Sequence, residues 1–321
     1  MIKMFLYIAF LMLFSCANCE TKNYSVVSEK DQLIEVNENV QHTTKDSLNR
    51  GVCLNYDFSK SYPNNLKMTE KNIYVGNGKF IYRFDYKGNF LNKISLPSSL
   101  SGFIDFAPYE LDKTIFYTTW NGKITCFDEK GQIIYNTGSG DLVRIDTKGN
   151  AYTIYQEYDK EKDRVINKIK IIDIKGNSTD YKSNNDLGCL NFEIVNNSIM
   201  LHASDGRFYV LPLNTDIEEK AYILKGLGDE RIWFLGISNN NYLFRTIEFE
   251  SRRDKISYYD LNLNHKKSEP LNFSFDEIVS EQRKDEDFLM DNPTAIIYTT
   301  HNNSIYFLRN TKKGSCIMQL N

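Results

Sequence analysis

From Gly51 onward, short apolar runs alternate with clusters of Gly, Asn and Asp, the pattern of strands separated by tight turns. A strand-like start recurs at Asn72-Ile73-Tyr74-Val75, Thr114-Ile115-Phe116-Tyr117, Asn150-Ala151-Tyr152-Thr153, Ser198-Ile199-Met200-Leu201, Asn241-Tyr242-Leu243-Phe244 and Ser304-Ile305-Tyr306-Phe307. Counted from the second residue of each, the steps are 42, 36, 48, 43 and 63 residues, which makes six units of one motif. A second marker follows in the same units: Phe84-Asp85-Tyr86-Lys87-Gly88, Phe127-Asp128-Glu129-Lys130-Gly131 and Ile172-Asp173-Ile174-Lys175-Gly176, with a degenerate form at Tyr259-Asp260. Asp opening and Gly closing such a stretch suit a type I turn followed by a left-handed residue. Between the two lies a third marker, Asn77-Gly78, Asn121-Gly122 and Asp205-Gly206, which favours a two-residue hairpin turn.

Each unit therefore predicts four antiparallel strands: an inner one such as Phe192 to Val195, a second at Ile199, a third at Phe208, and an outer one such as Phe90 to Leu96. A lone sheet of this kind leaves both faces wet, and radial stacking of six covers them, so the expectation is an all-β, six-bladed β-propeller. In the last unit, Ser315 to Leu320 falls on the third strand and the outer strand is missing. An N-terminal strand must then close the ring, with Val52 to Phe58 the first candidate and Leu33 to Val36 the second. The first choice brings Cys53 beside Cys316, where an oxidised pair is compatible with an exported protein.

The start of the chain is different in kind. Lys3 precedes an unbroken apolar run from Met4 to Phe14, too short to span a bilayer, and this predicts a signal peptide over residues 1–15. Leu13-Phe14-Ser15-Cys16 resembles the bacterial lipobox, which makes Cys16 the expected lipid attachment site, with residues 16–50 an anchor and polar tether and 51–321 the propeller. Cleavage after Ala17-Asn18-Cys19 is the alternative and would give a soluble secreted protein.

Charge and chemistry narrow the function only by exclusion. With 39 basic and 42 acidic residues there is no field to concentrate nucleic acid. The four histidines, His42, His202, His265 and His301, lack metal-ligand spacing; His202 and His301 stand near strand ends, within reach of a central channel. No nucleophile elbow, phosphate loop or dinucleotide fingerprint is present, so no catalytic residue, metal or cofactor is predicted. What remains is a binding surface. The links from outer to next inner strand and from second to third strand share one end of a propeller, and here they hold Trp120, Tyr158, Arg207, Arg231, Trp233, Arg252 and Arg253, types enriched among interface hot spots. The longest insertion, Ser274 to Asp291, predicts a cap or loop at the same end.

Signal, lipobox, tether, six units and Asp-x-x-Gly turns together resemble the six-bladed propeller lipoproteins common in Bacteroidetes and, more distantly, NHL-repeat propellers. That resemblance implies envelope localisation and a binding role, and the expectation here is a monomeric outer-membrane lipoprotein that binds an envelope protein or a glycan or peptide ligand. The His-rich metal site of NHL-type enzymes has no counterpart in these residues. A channel-mouth hydrolase or lyase is the alternative function.

Overall fold

The computed structural model describes residues 48–58, 63–111, 113–160, 163–181, 189–195, 197–203, 207–213, 220–224, 231–247, 254–270, 298–302, 304–311 and 314–320. Cys16, Arg252, Arg253 and the 274–291 insertion, like the stretch before Leu48 in which a signal peptide and tether are expected, lie outside these residues.

The regular structure among them is all strand, twenty-four in chain order. The first, β1 (Leu48–Cys53), stands apart. Blade 1 is β2 (Asn65–Met68), β3 (Ile73–Gly76), β4 (Phe80–Phe84) and β5 (Phe90–Ser95); blade 2 is β6 (Asp105–Glu110), β7 (Thr114–Trp120), β8 (Lys123–Asp128) and β9 (Ile133–Thr137). Blade 3 is β10 (Leu142–Ile145), β11 (Ala151–Asp159), β12 (Arg164–Ile172) and β13 (Ser178–Asp180); blade 4 is β14 (Cys189–Val195), β15 (Ser198–Ala203), β16 (Arg207–Pro212) and β17 (Lys220–Ile223). Blade 5 is β18 (Arg231–Ser238), β19 (Asn241–Ile247), β20 (Asp254–Tyr259) and β21 (His265–Pro270). Blade 6 holds β22 (Tyr298–His301), β23 (Ser304–Thr311) and β24 (Gly314–Leu320), and β1 completes it in the order β1-β24-β23-β22. Inner strands β2, β6, β10, β14, β18 and β22 touch in that order, and β22 touches β2, so the ring is closed.

The six recurring starts all fall on second strands, and the reason is burial on both faces. In β3, Tyr74 packs towards blade 2 with Phe106 and Phe116, while Ile73 and Val75 pack towards blade 6 with Leu308 and Ile317. In β19, Leu243 faces blade 6 while Tyr242 and Phe244 face blade 4. A strand covered on both sides needs an apolar run and not an alternation. The buried residues accordingly form one cluster at each of the six seams between blades. Outer strands such as β21 are exposed along their length.

The Asp-x-x-Gly stretches link third to outer strands as expected. Asp85 accepts from the amides of Lys87 and Asn89 through Oδ1 and from Asn89 Nδ2 through Oδ2, each at 2.9 Å. The same turn recurs at Asp128, Asp173 and Asp260, and once between inner and second strands at Asp146. In the degenerate case Leu263 adopts the left-handed conformation (φ 62°) where the others have Gly.

Ring closure differs in detail from the sequence-based expectation. The closing strand is β1, with Cys53 opposite Cys316 and Leu48 opposite Leu320, and its ladder ends where Leu54 N donates to Ser315 O at 2.9 Å. The chain then leaves blade 6 for blade 1: Asn55 N donates to Gly88 O at 2.8 Å, and Leu54 and Phe58 bury in the seam between the two blades. Leu54, Tyr56 and Phe58 alternate like a strand because they fill that seam. Gly88 permits the crossing, since a Cβ there would lie 2.2 Å from the Cys53 carbonyl oxygen.

Cys53 and Cys316 are joined by a disulfide across a sequence separation of 263 residues. A crosslink over so long a loop contributes about 2–5 kcal/mol by restricting the unfolded chain. The native protein should therefore resist alkylation at both positions until it is reduced, and Cys53→Ser should melt several degrees lower. Peptide mapping that finds either thiol labelled before reduction would refute the bond. Cys126, buried between blades 2 and 3, is a free thiol that burial pushes up to about 12.

Candidate functional site

The inner strands carry a set of ionisable side chains around the channel. Lys67 of β2, Asp105 of β6, Arg144 of β10 and Glu193 of β14 stand on four successive blades. Lys67 Nζ lies 3.2 Å from Asp105 Oδ1, Arg144 Nη1 lies 2.7 Å from Asp105 Oδ2, and Arg144 Nε lies 2.9 Å from Glu193 Oε1. Asp105 also accepts from the amides of Phe106 (2.9 Å) and Val143 (3.1 Å), and Arg144 donates to the Val143 carbonyl at 2.9 Å. Charge alternates in sign along this chain, which is what keeps ions tolerable away from water.

The protonation states follow. Burial alone would raise the Asp105 carboxyl, but Lys67 and Arg144 outweigh it and hold it below the usual carboxylate range. Burial alone would lower Arg144, but Glu193 and Asp105 outweigh it and hold the guanidinium above its usual value. Lys67 goes the other way: burial, reinforced by Arg144, keeps its ammonium below the ordinary lysine value despite Asp105. Beside this network lies a cavity of about 150 Å³, lined by Lys67, Arg144, Glu193, Tyr298, Thr299 and Thr300 among others. That is room for about five waters. Salt bridges engage all four charges, and their direct mechanical effect is to brace the inner strands of blades 1 to 4.

A second feature stands at one end of the ring. The outer-to-inner links touch the second-to-third links there, with Phe103 N donating to Gly78 O at 2.8 Å and Gly140 N to Gly122 O at 3.0 Å. In blade 3, β11 and β12 are nine residues each, and they outgrow their sheet. Neighbouring β10 pairs with β11 only from Ala151 to Ile154, and β13 pairs with β12 only from Lys170 to Ile172. The five pairs from Tyr155↔Lys168 to Asp159↔Arg164 are made between β11 and β12 alone, a two-stranded arm roughly 17 Å long. Near its tip the directly opposed Tyr158 and Val165 are 54% and 53% exposed.

The opposite end is occupied by packing. Glu110 accepts from Asn72 Nδ2 and Tyr74 Oη, each at 2.5 Å, and from Thr69 Oγ1, tying blade 2 to blade 1. Tyr86 Oη lies 2.9 Å from His301 Nε2, the two rings stack at 5.9 Å between centroids, and burial holds the imidazole below its usual value although Glu70 raises it. His202 is buried on β15, a second strand, and is outside the residues that line the cavity. Among the described residues no three His, Cys, Asp or Glu side chains converge as metal ligands.

Of the residues that sequence reasoning selected for binding, the arm end holds three on separate blades. Trp120 ends β7, and the position of a Cβ on Gly102 is 3.6 Å from its ring; Tyr158 is on the arm; Arg207 opens β16 and is exposed. Arg231 and Trp233 belong to the inner strand β18 of blade 5. The channel network was missed, although it left a trace: Lys67, Asp105, Arg144 and Glu193 recur at steps of 38, 39 and 49 residues, close to the repeat, inside otherwise apolar segments.

No family model matches the chain, and no curated protein matches it. Among solved structures it is similar to the WD40 domain of Neurospora crassa Pan2, at 12% identity over 87% of this chain and 98% of that one, with a TM-score of 0.53. A protein of unknown function from Bacteroides caccae gives 11% identity over 66% and 82%, TM-score 0.45, and BamB from Moraxella catarrhalis 11% over 80% and 71%, TM-score 0.39. At these identities the likeness is one of fold, and the Pan2 domain agrees with the propeller described above.

Proposed function

We propose that this chain is an exported lipoprotein, anchored to the outer membrane through Cys16, whose propeller binds an envelope protein or a glycan or peptide ligand without catalysis. Binding takes place at the end of the ring that carries Trp120, Tyr158 and Arg207, with Arg231, Trp233 and Arg252 as further contacts. The observation that carries this reading is the β11–β12 arm, which extends beyond its sheet and exposes an aromatic and a β-branched side chain side by side. A fold spends no backbone order on such an arm for its own stability, because an isolated hairpin is marginal in water. The Cys53–Cys316 disulfide supports export, since such bonds persist in oxidising compartments. A hydrolase or lyase acting in the channel would call for histidine converging with carboxylates, whereas His202 is buried on a second strand and the His301 ring stacks on Tyr86.

The test uses the full-length lipoprotein. Cys16→Ser should abolish palmitate incorporation and move the protein from the membrane to the soluble fraction. Capture from solubilised envelope should then be compared between the parent, Trp120→Ala and Tyr158→Ala. Capture that both variants leave unchanged means that the wrong end of the ring has been chosen.

A further inference from the structure

Resting on that reading of the binding end, we infer that the β11–β12 arm recognises a neutral oligosaccharide on the face formed by Gln156, Tyr158, Val165 and Asn167. Strand alternation divides the arm into two unlike faces. One is charged and internally engaged: Glu157 pairs with Lys168, and Lys170 Nζ sits 4.7 Å from the centroid of the Tyr155 ring. The other carries no ionised strand residue, and Gln156 and Asn167 lie directly opposite each other beside the Tyr158–Val165 pair.

The Tyr158 ring is held in place. Its hydroxyl donates to Asp163 Oδ1, and Asp163 occupies the turn in the left-handed conformation (φ 50°). A fixed aromatic ring presents a flat apolar surface at little cost in entropy, which suits the C–H face of a pyranose. Around it, Asp163 Oδ2 and the two carboxamides offer planar acceptors and donors of the kind that pair with hydroxyl groups. Among the described residues neither carboxamide has a hydrogen-bond partner within the protein. Among the described strand residues this face carries no cation, which disfavours phosphate, acidic sugars and nucleic acid. Same-face neighbours along a strand are about 7 Å apart, so ring and carboxamides together span more than one sugar unit.

The probes are maltohexaose, cellohexaose, mannohexaose and xylohexaose, with hexagalacturonate as the acidic control, each added to the full-length lipoprotein in detergent and followed by saturation-transfer NMR. At least one neutral hexasaccharide should bind and the acidic one should not. Tyr158→Ala should weaken binding about tenfold, Tyr158→Phe should retain part of it, and Gln156→Ala should weaken it several-fold. If none of the four binds at millimolar concentration, or if binding survives Tyr158→Ala, the inference is overturned. If no sugar binds while Tyr158→Ala abolishes capture of an envelope protein, the arm is a protein-docking element, and the broader reading stands without this one.

Discussion

A chain lacking residues 48–58 is expected to lose cooperative thermal unfolding, whereas one lacking residues 22–38 should melt like the parent. The deletion removes the outer strand of blade 6, the disulfide, and the burial of Leu54 and Phe58 at the seam between blades 6 and 1. The two side chains are worth about 1.5–3 kcal/mol each and the disulfide about 2–5 kcal/mol. Their sum is of the order of a whole domain's stability, about 5–15 kcal/mol. The loss is also topological, because β24 is left as an open edge and Leu66 and Phe84 lose their cover. Calorimetry decides between the outcomes: an unchanged transition in the 48–58 deletion would mean that some other segment closes the ring.

Asp105→Ala is expected to cost about 3–5 kcal/mol, the usual penalty for breaking one side of a buried ionic network. It leaves Lys67 and one side of Arg144 without a counter-charge and strips the Phe106 and Val143 amides of an acceptor. Glu193→Gln, which changes a single contact to Arg144, should cost less. The effect also has a pH signature. Asp105 is held below its ordinary range when folded, so its stabilisation is complete above the unfolded carboxylate value and is lost as pH falls through the lowered folded one. The gap in stability between parent and variant should therefore narrow below about pH 4. Denaturant titrations at descending pH measure it, and a gap that stays constant in strong acid would assign the loss to packing and not to charge.

The architecture was legible because the second strand of every blade is squeezed between two neighbours and must be apolar on both faces; Ile73, Ile115, Ala151, Ile199, Tyr242 and Ile305 carry that signal. The turns were legible for a different reason. Asp85, Asp128 and Asp173 make local hydrogen bonds that depend on their own pentapeptide and little else. The closing strand was placed a few residues late because Leu54, Tyr56 and Phe58 mimic a strand's alternation while filling a seam, and only the register set by Cys53 and Cys316 separates the two. The channel network escaped notice because each member is a single charge in an apolar segment, unremarkable until four blades bring the charges together. Of the proposed binding end, Trp120, Tyr158 and Arg207 could be assigned to one end of the ring from topology. The length of the arm was hidden, since nothing within Tyr155 to Lys168 shows that β10 and β13 stop short of it.

The bond between Cys53 and Cys316 turns the propeller from a chain with two ends into a covalent macrocycle with a tail. Any single proteolytic nick in a loop between them leaves one molecule, its two pieces still threaded through the same six blades. Tension applied along the tail loads the hydrogen bonds between β1 and β24 from Leu48 onward, but any peeling of the strand stops at the sulfur atoms, because Cys53 is its last residue. That converts a ring that could be unzipped into one that must be broken.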